Sequence, residues 1–585
     1  MIDQVETADK SCKHGESWKL INKISGRKNT KSGILKGKNK EERVKNWYLH
    51  FSQLLGKEPI VDDEEEEIQP VFTNLRYKTG PFDIDEYQAA KKRLKEGKAA
   101  GQDGIPPEVL KRCDIDDIVL KFANTLLLNL EKPDQWAESN LIPIAKSGDL
   151  GLGGNYRGIM LNSLVLKITN KMMLNRIQPT LDPHLRPNQN GFRPGRTTTA
   201  QILAIRRIIE GVKSRNLSAI ITFIDFQKAF DSIHRGKMLK ILRAYGIPDE
   251  LVNAIAKTYE NTKSRVLSPD GETEVFEILA GVLQGDTLAP YLFAITLDYA
   301  MRQAIGNDEN RLGFTIEERK SRRTPATSIT DLDFADDIAL ISDQVQEAQE
   351  LLTRIEKATA KVGLRINVKK TVVMPFHQTD NVEIKTREGV KLKSVEEFKY
   401  LGAWTSSSEK DFNTRKAQAW TACHKLHKVW KSKLPRSTKI RLFVSTVESV
   451  LLYGSETWTI TKQMETKIDG CYTRLLRMAL NISWQQHLTN DILYGSLPKV
   501  SEKIKERRLR LSGHCIRHKE EEASKVVLWN PQRGQGRRGR RKLTYLDNIK
   551  ADTGLEEIPE IRTVMKDKKV WRGIVKSARV GTRPK

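Results

Sequence analysis

Cysteine is scarce in this chain of 585 residues: Cys12, Cys113, Cys423, Cys471 and Cys515 are odd in number and widely spaced. That usage excludes a disulfide framework and points to reduced thiols. No CxxC pair occurs. The two groups nearest to zinc ligands, Cys423 with His424 and His427, and Cys515 with His514 and His518, fall short of four ligands, so structural zinc is not expected. The chain also lacks an apolar run long enough to span a bilayer and a charged-then-apolar leader, which argues for an intracellular protein. Acid is in deficit too: 74 Asp and Glu face 100 Lys and Arg, for a formal charge of +26. A surplus of that size favours a polyanionic partner through counterion release, and nucleic acid fits better than a membrane. With 38% hydrophobic residues the chain can still bury a real core.

Two acidic strand ends stand out against this background. Leu332 to Asp343 sets Asp336 and Asp337 side by side between short apolar runs that are partly β-branched and aromatic. The pattern predicts two buried strands joined by a tight turn, with Ala335, Asp336 and Asp337 near its tip. Asp is a favoured turn residue, so this stretch alone does not separate a site from a surface turn. A second stretch does. Ser218 to Asp231 runs as a mostly apolar strand into Asp225 and then changes to helical spacing. Carboxylates crowded into one volume repel unless a cation lies between them, which points to a divalent metal bound through oxygen. Two such strands can hold two Mg²⁺ ions about 3.5–4 Å apart, the geometry of nucleotidyl transfer.

Five blocks resemble those of non-LTR (LINE-like) retrotransposon reverse transcriptases and follow that family's order: Gln189 to Arg196, Phe223 to Asp231, Gly281 to Pro290, Phe334 to Asp337 and Gly363 to Thr371. The resemblance implies a mixed α/β (α+β) right-hand polymerase fold, with fingers, an antiparallel-sheet palm, a helical thumb and a basic C-terminal region. It implies an RNA-directed DNA polymerase that extends a primer 3′-hydroxyl with dNTPs on an RNA template, with DNA as primer and target. Asp225 and Asp336 would bridge the two Mg²⁺ ions, for which Mn²⁺ could substitute, and Asp337 would tune the site. Lys370 matches a lysine proposed to protonate pyrophosphate. Phe230 takes the place of a ring beneath the sugar that collides with a 2′-hydroxyl; a core Phe is the plainer reading. Gln284 and Gly285 resemble the block lining the nucleotide and template pocket. Arg157, Lys167, Arg193 and Arg196 are aimed at triphosphate or template backbone, because guanidinium groups grip phosphate bidentately. Ordinary solvated cations are the competing reading.

Along the chain, residues 1–67 read as a polar connector with one amphipathic piece, Val44 to Leu55, that closes on the acidic run Asp62 to Glu67. Full-length relatives carry an endonuclease before such a connector, so an N-terminally shortened element is expected. Residues 68–217 are assigned to fingers, opening on the Gly-rich loop Gly97 to Pro106; Gly158 stands where the family usually shows proline, which frees φ. The palm takes 218–402 and ends on Phe398 to Ala403, a hairpin resembling a primer grip. The thumb takes 403–485, with stripes through Cys423 and Trp430 and through Ile468 and Leu475 that read as bundle core, and Lys425, Lys428, Lys431 and Lys433 facing phosphate. In the basic region, 486–585, a flexible strap of Arg533, Arg537, Arg538, Arg540, Arg541 and Lys542 carries no acid; it suits nucleic-acid binding, nuclear import or both. Synthesis in the cytoplasm and work in the nucleus are expected. The alternative is a catalytically silent nucleic-acid-binding relic or domesticated host factor, against which the intact acids argue. An RNA-making polymerase shares the palm, and Phe230 argues against it.

Overall fold

The computed structural model describes residues 4–580 apart from 6, 9, 10, 12, 13, 25–34, 63–66, 147, 379–381, 537 and 538. Most of the expected acidic linker, with Arg537 and Arg538 of the strap, therefore lies outside the described residues. In chain order, α1 (Lys40–Leu55) precedes β1 (Glu138–Ala145), β2 (Tyr156–Leu161), α2 (Leu164–Leu181) and α3 (Thr198–Arg215). Next come β3 (Ala219–Ile224), β4 (Lys263–Ser268), α4 (Ala289–Ile305), β5 (Asp331–Phe334), β6 (Asp337–Ser342), α5 (Val345–Ala360) and β7 (Val372–Phe376). A small hairpin, β8 (Lys399–Tyr400) and β9 (Ala403–Trp404), leads into α6 (Ser408–Lys425), α7 (Lys462–Ala479), α8 (Val500–Arg517), α9 (Tyr545–Thr553) and α10 (Lys568–Val580).

The strand β3 is apolar and β-branched, with no Gly or Pro, and is buried along its whole length. It lies at the middle of a sheet ordered β7-β3-β6-β5, each strand antiparallel to the next, with Lys393–Ser394 outside β7. Ile224 faces Ile338, and Phe223 faces both Ala339 and Val372. The period of two sends Ile220 and Ile224 to one face, packed with Phe293 of α4 and Leu351 and Ile355 of α5. Ala219, Ile221 and Phe223 go to the other face, covered by α3 and, from the far end of the chain, by Leu509, Ile516, Trp529, Tyr545 and Trp571. The basic C-terminal region is therefore part of the central core. Its two tryptophans lie flush on helices: a Cβ on Gly211 would stand 2.2 Å from the Trp529 ring, and one on Gly513 2.2 Å from Trp571 Nε1.

A second sheet sets β1 antiparallel to β2 and parallel to β4. Helix α1 packs on it, with Trp47, Phe51 and Leu55 buried and Trp47 edge-on to Tyr156 at 4.7 Å. The amphipathic piece expected in a connector is thus a core helix, because its apolar stripe finds a sheet to cover. Gly158 is explained by the same contact. It lies inside β2 opposite Pro143, and a Cβ there would come within 2.9 Å of Phe51.

The helices after β9 form a third core through Phe412, Cys423, Trp430, Trp458, Ile468 and Leu475, as the stripes predict, and Val5 and Ile21 join it. Lys425, Lys428, Lys431 and Lys433 are exposed. The Cys423 thiol turns inward, 3.9 Å from the Leu475 carbonyl, and burial pushes it up to about 12, while His424 and His427 stay exposed. Among the described residues no helix is long and apolar enough to cross a membrane.

Candidate active site

Antiparallel pairing brings the two acidic stretches together. Asp225 follows the last residue of β3, and Asp337 precedes the Ile338 that pairs with Ile224. The hairpin turn between β5 and β6 is Ala335-Asp336, closed by the pair Phe334–Asp337. Burial pushes Asp336 and Asp337 above the ordinary carboxylate range, Asp337 to about 6, and repulsion from Asp225 adds to both. Lys370 lays a cation on Asp225, its Nζ 3.3 Å from each carboxylate oxygen. The backbone after Asp225 is fixed by the block that carries Lys370: Asn367 N–H donates to the Asp225 carbonyl at 2.7 Å, and Gln227 N–H to the Arg365 carbonyl at 2.9 Å.

The acidic turn is strained and clamped. Ala335 has φ of 57°, in the left-handed region that costs a non-glycine residue about 1–2 kcal/mol. The Gln189 side chain holds it there, accepting from Ala335 N–H at 2.8 Å and donating to the Ala335 carbonyl at 3.1 Å. Gly191 N–H donates to the same Gln189 oxygen at 2.6 Å. A Cβ on Gly191 would lie 2.2 Å from Ala335 N, so only glycine lets the two segments touch. Gln189 was within a recognised block, but an apolar-to-acid pattern gives no signal for an amide that works on backbone.

Cations converge on the same place. Arg157 of β2 bears electrostatically on Asp336 and on Asp231. Lys146 and Lys228, which the residue pattern did not single out, act on Asp231 with it. Burial, then Lys228 and Lys146, holds His50 of α1 down to about 4. Asp231 is pushed up to about 6 by burial, against the hydrogen bond it accepts from Gln284 at 2.7 Å. Gly285, at φ of 115°, lets this block approach β2, where a Cβ would meet the Met160 carbonyl at 2.4 Å. Phe230 stacks on Phe293 at 4.5 Å and meets Phe192 edge-on at 5.8 Å; Phe192 is 44% exposed.

Residues 144–405 match the family model described as reverse transcriptase (RNA-dependent DNA polymerase). The chain carries a reverse transcriptase domain. It is 24% identical over 430 residues to a Pol polyprotein from a type-1 retrotransposable element R2 of Popillia japonica, covering 71% of this chain and 57% of that protein. It is 24% identical over 487 residues to a probable RNA-directed DNA polymerase from transposon BS of Drosophila melanogaster, covering 78% and 51%. A putative transposon-derived protein of Caenorhabditis elegans is 26% identical over 43% of this chain and 98% of its own length. The chain thus spans about half the length of the first two of these relatives, which are proteins of a retrotransposable element and of a transposon.

The reverse transcriptase domain brings with it the right-hand polymerase fold, and four of the expected cations have groups of the protein itself beside them. Arg193 is enclosed, its side chain 1% exposed, paired to Asp182 at 3.0 Å and donating to the Arg186 and Gln189 carbonyls, so it ties down the loop that clamps the turn. Arg196 is half-buried, 3.4 Å from Asn190 Oδ1, in the field of Glu521 and Glu520. Lys167 lies in the field of Asp286 and Asp103, which offsets part of what burial takes from its charge. Arg533 is no free strap residue: it pairs with Asp343 at 2.5 Å and lies over the Phe314 ring. Arg540, Arg541 and Lys542 are exposed.

Reverse transcriptases use divalent cations, and the acids fit one. Among the described residues no cluster of three or more His, Cys, Asp or Glu is placed to hold a metal alone. A small hard cation does not need such a cage, since one or two carboxylates suffice when substrate phosphates and water complete its shell. Asp225 and Asp336 could supply those carboxylates: their mutual repulsion, with Lys370 drawn onto Asp225, marks a place that favours positive charge.

Proposed function

We propose that this chain is an RNA-directed DNA polymerase of a non-LTR element that extends a primer 3′-hydroxyl with dNTPs on an RNA template. The observation that carries the reading is the meeting of Asp225 with the Ala335-Asp336-Asp337 turn under Lys370 and Arg157. The central sheet serves as palm, the β1–β2–β4 side as fingers and the bundle of α6 and α7 as thumb.

Asp225 and Asp336, with Asp337 beside them, would hold Mg²⁺, or Mn²⁺ in its place; bound there, the two ions favour the attacking alkoxide and neutralise the departing pyrophosphate. The chain's own residues do the rest. Lys146, Arg157 and Lys228 would hold the triphosphate by charge, and Lys370 would hand a proton to the leaving pyrophosphate. Gln284, fixed by Asp231, and Gly285 line the pocket, and Phe230 closes it beneath the sugar.

The test is primer extension on a primed homopolymer RNA. Asp225→Asn and Asp336→Asn should each lower the rate by about 10³-fold or more, beyond the 10²–10³ typical of one oxyanion donor, while primer-template affinity stays close to wild type. Extension by either variant within tenfold of wild type removes the assignment. No extension by the wild-type chain with any dNTP would favour the silent nucleic-acid-binding relic.

A further inference from the structure

At the end of β3 away from Asp225 lies a cavity of about 1000 Å³. Helix α3 ends at Arg215, where β3 is about to begin, whereas Asp225 follows the last residue of that strand. Six residues at about 3.3 Å each set the two places roughly 20 Å apart. Around the cavity stand the C-terminal half of α3, the segment from β9 into α6, the start of α7 and the strap that leads into α9. Eight Lys and Arg side chains line it against two carboxylates, and both carboxylates are already engaged, Glu210 by Arg207 and Glu409 by Lys467. Arg541 pairs with Asp547, and Arg206 with Asp411. Among the described residues Lys213, Arg215, Arg540 and Lys542 have no ion-pair partner.

Three further features of the wall favour negative charge. The helices α6, α7 and α9 all begin at the cavity, capped by Ser407, Thr461 and Thr544, and each start adds a partial positive charge. The wall already receives one anion, since Glu210 accepts from Tyr545 N–H at 2.9 Å at the α9 start. Arg206, 93% buried by its 7% exposure, lines the cavity with an Nε that has no partner.

The rings at this place are committed elsewhere. Trp529 donates to the Ile316 carbonyl at 3.1 Å and Tyr545 to the Glu456 carbonyl at 2.9 Å, and both are buried. Bases would find no platform to stack on, so recognition has to be through phosphate. The unpaired cations sit on two walls, α3 and the strap, which suits a strand passing between them more than one compact anion.

We propose that this cleft binds the sugar–phosphate backbone of a single-stranded nucleic acid, at a second site distinct from the acidic turn. The inference extends the nucleic-acid reading above but needs no polymerisation, so it is tested without dNTPs and with metal chelated. The full chain is titrated into a short labelled oligouridylate over a range of salt. Lys213→Gln with Arg215→Gln should weaken binding about tenfold or more at physiological salt and lower the slope of log K against log salt by about 1.4, at 0.7 for each single-strand phosphate contact. The charge-keeping pair Lys213→Arg with Arg215→Lys should bind as wild type does. If the glutamine pair unfolds, Arg540→Gln with Lys542→Gln carries the same expectation from the opposite wall. An unchanged affinity and slope overturns the proposal. So does tripolyphosphate binding as tightly as the oligonucleotide and weakened as much by the glutamine pair, which would make the cleft a small-anion site.

Discussion

Asp231 is where burial and function pull against each other most plainly. Its carboxyl is pushed up to about 6 from 3.8 by burial, although Gln284 and three cations favour its charge. A raised acid stabilises the fold fully below pH 3.8 and loses that contribution as pH rises through 6. Asp231→Asn removes the cost of burying the ion, so the variant should gain on wild type between about pH 4 and 6 and then hold a constant lead, of up to about 3 kcal/mol at 1.36 kcal/mol per unit. Melting temperatures of the two proteins across that range decide it, and parallel curves would mean the carboxylate is well solvated. Phe230 makes a second prediction at this scale. Its ring stacks on Phe293, and under the proposed function that brace would keep it from yielding to a 2′-hydroxyl. Phe230→Val should raise the ratio of rNTP to dNTP incorporation in single-nucleotide kinetics with only a modest loss of dNTP use; an unchanged ratio makes it a core residue.

The element that matters most is the turn between β5 and β6, and the sequence shows it well because strand alternation and paired acids are local signals. What holds the turn is not local. Gln189 lies far upstream, and nothing in its neighbourhood distinguishes an amide that clamps Ala335 from one that faces solvent. Arg193 is ambiguous in the sequence for the same reason: a guanidinium that ties down a loop and one that grips phosphate are the same residue type, and burial alone separates them. Lys146 and Lys228 give no signal of their own, because each lies in a stretch whose pattern is carried by other residues. The clamp gives a testable consequence. Gln189→Leu keeps the volume but leaves the Ala335 N–H and carbonyl unpaired, at about 1–3 kcal/mol each. Gln189 is a positioning residue, so single-turnover extension should fall by about 10²-fold, the typical cost of a misplacement near 1 Å, while primer-template affinity is unchanged. Extension at the wild-type rate would show that the turn holds its own shape.

At the scale of the whole molecule, composition suggested a basic appendage after residue 485, and the structure instead builds that stretch into the central core. The reason is physical: charge density is visible in composition, whereas the fit of Trp529 on Gly211 and of Trp571 on Gly513 depends on contacts that no local pattern encodes. Residues beyond Lys499 supply Leu509, Cys515, Ile516, Trp529, Tyr545, Ile549, Ile561, Met565 and Trp571 to the face of the sheet that carries Ile221, Phe223, Ile341 and Met374. Losing nine such side chains, at about 1.5–3 kcal/mol each, exceeds the roughly 5–15 kcal/mol by which a typical protein is stable. It would also bare an apolar patch behind the catalytic strand itself, of the kind that drives aggregation. A chain ended at Lys499 should therefore fail to give soluble, monodisperse protein and show no extension, even though every acid of the candidate site is retained. Gly536→Ser should leave melting unchanged, because Gly536 is exposed and a Cβ there meets nothing within 4 Å. A truncated chain that melts and extends like the full one would mean that α8, α9 and α10 are docked on a sheet that does not need them.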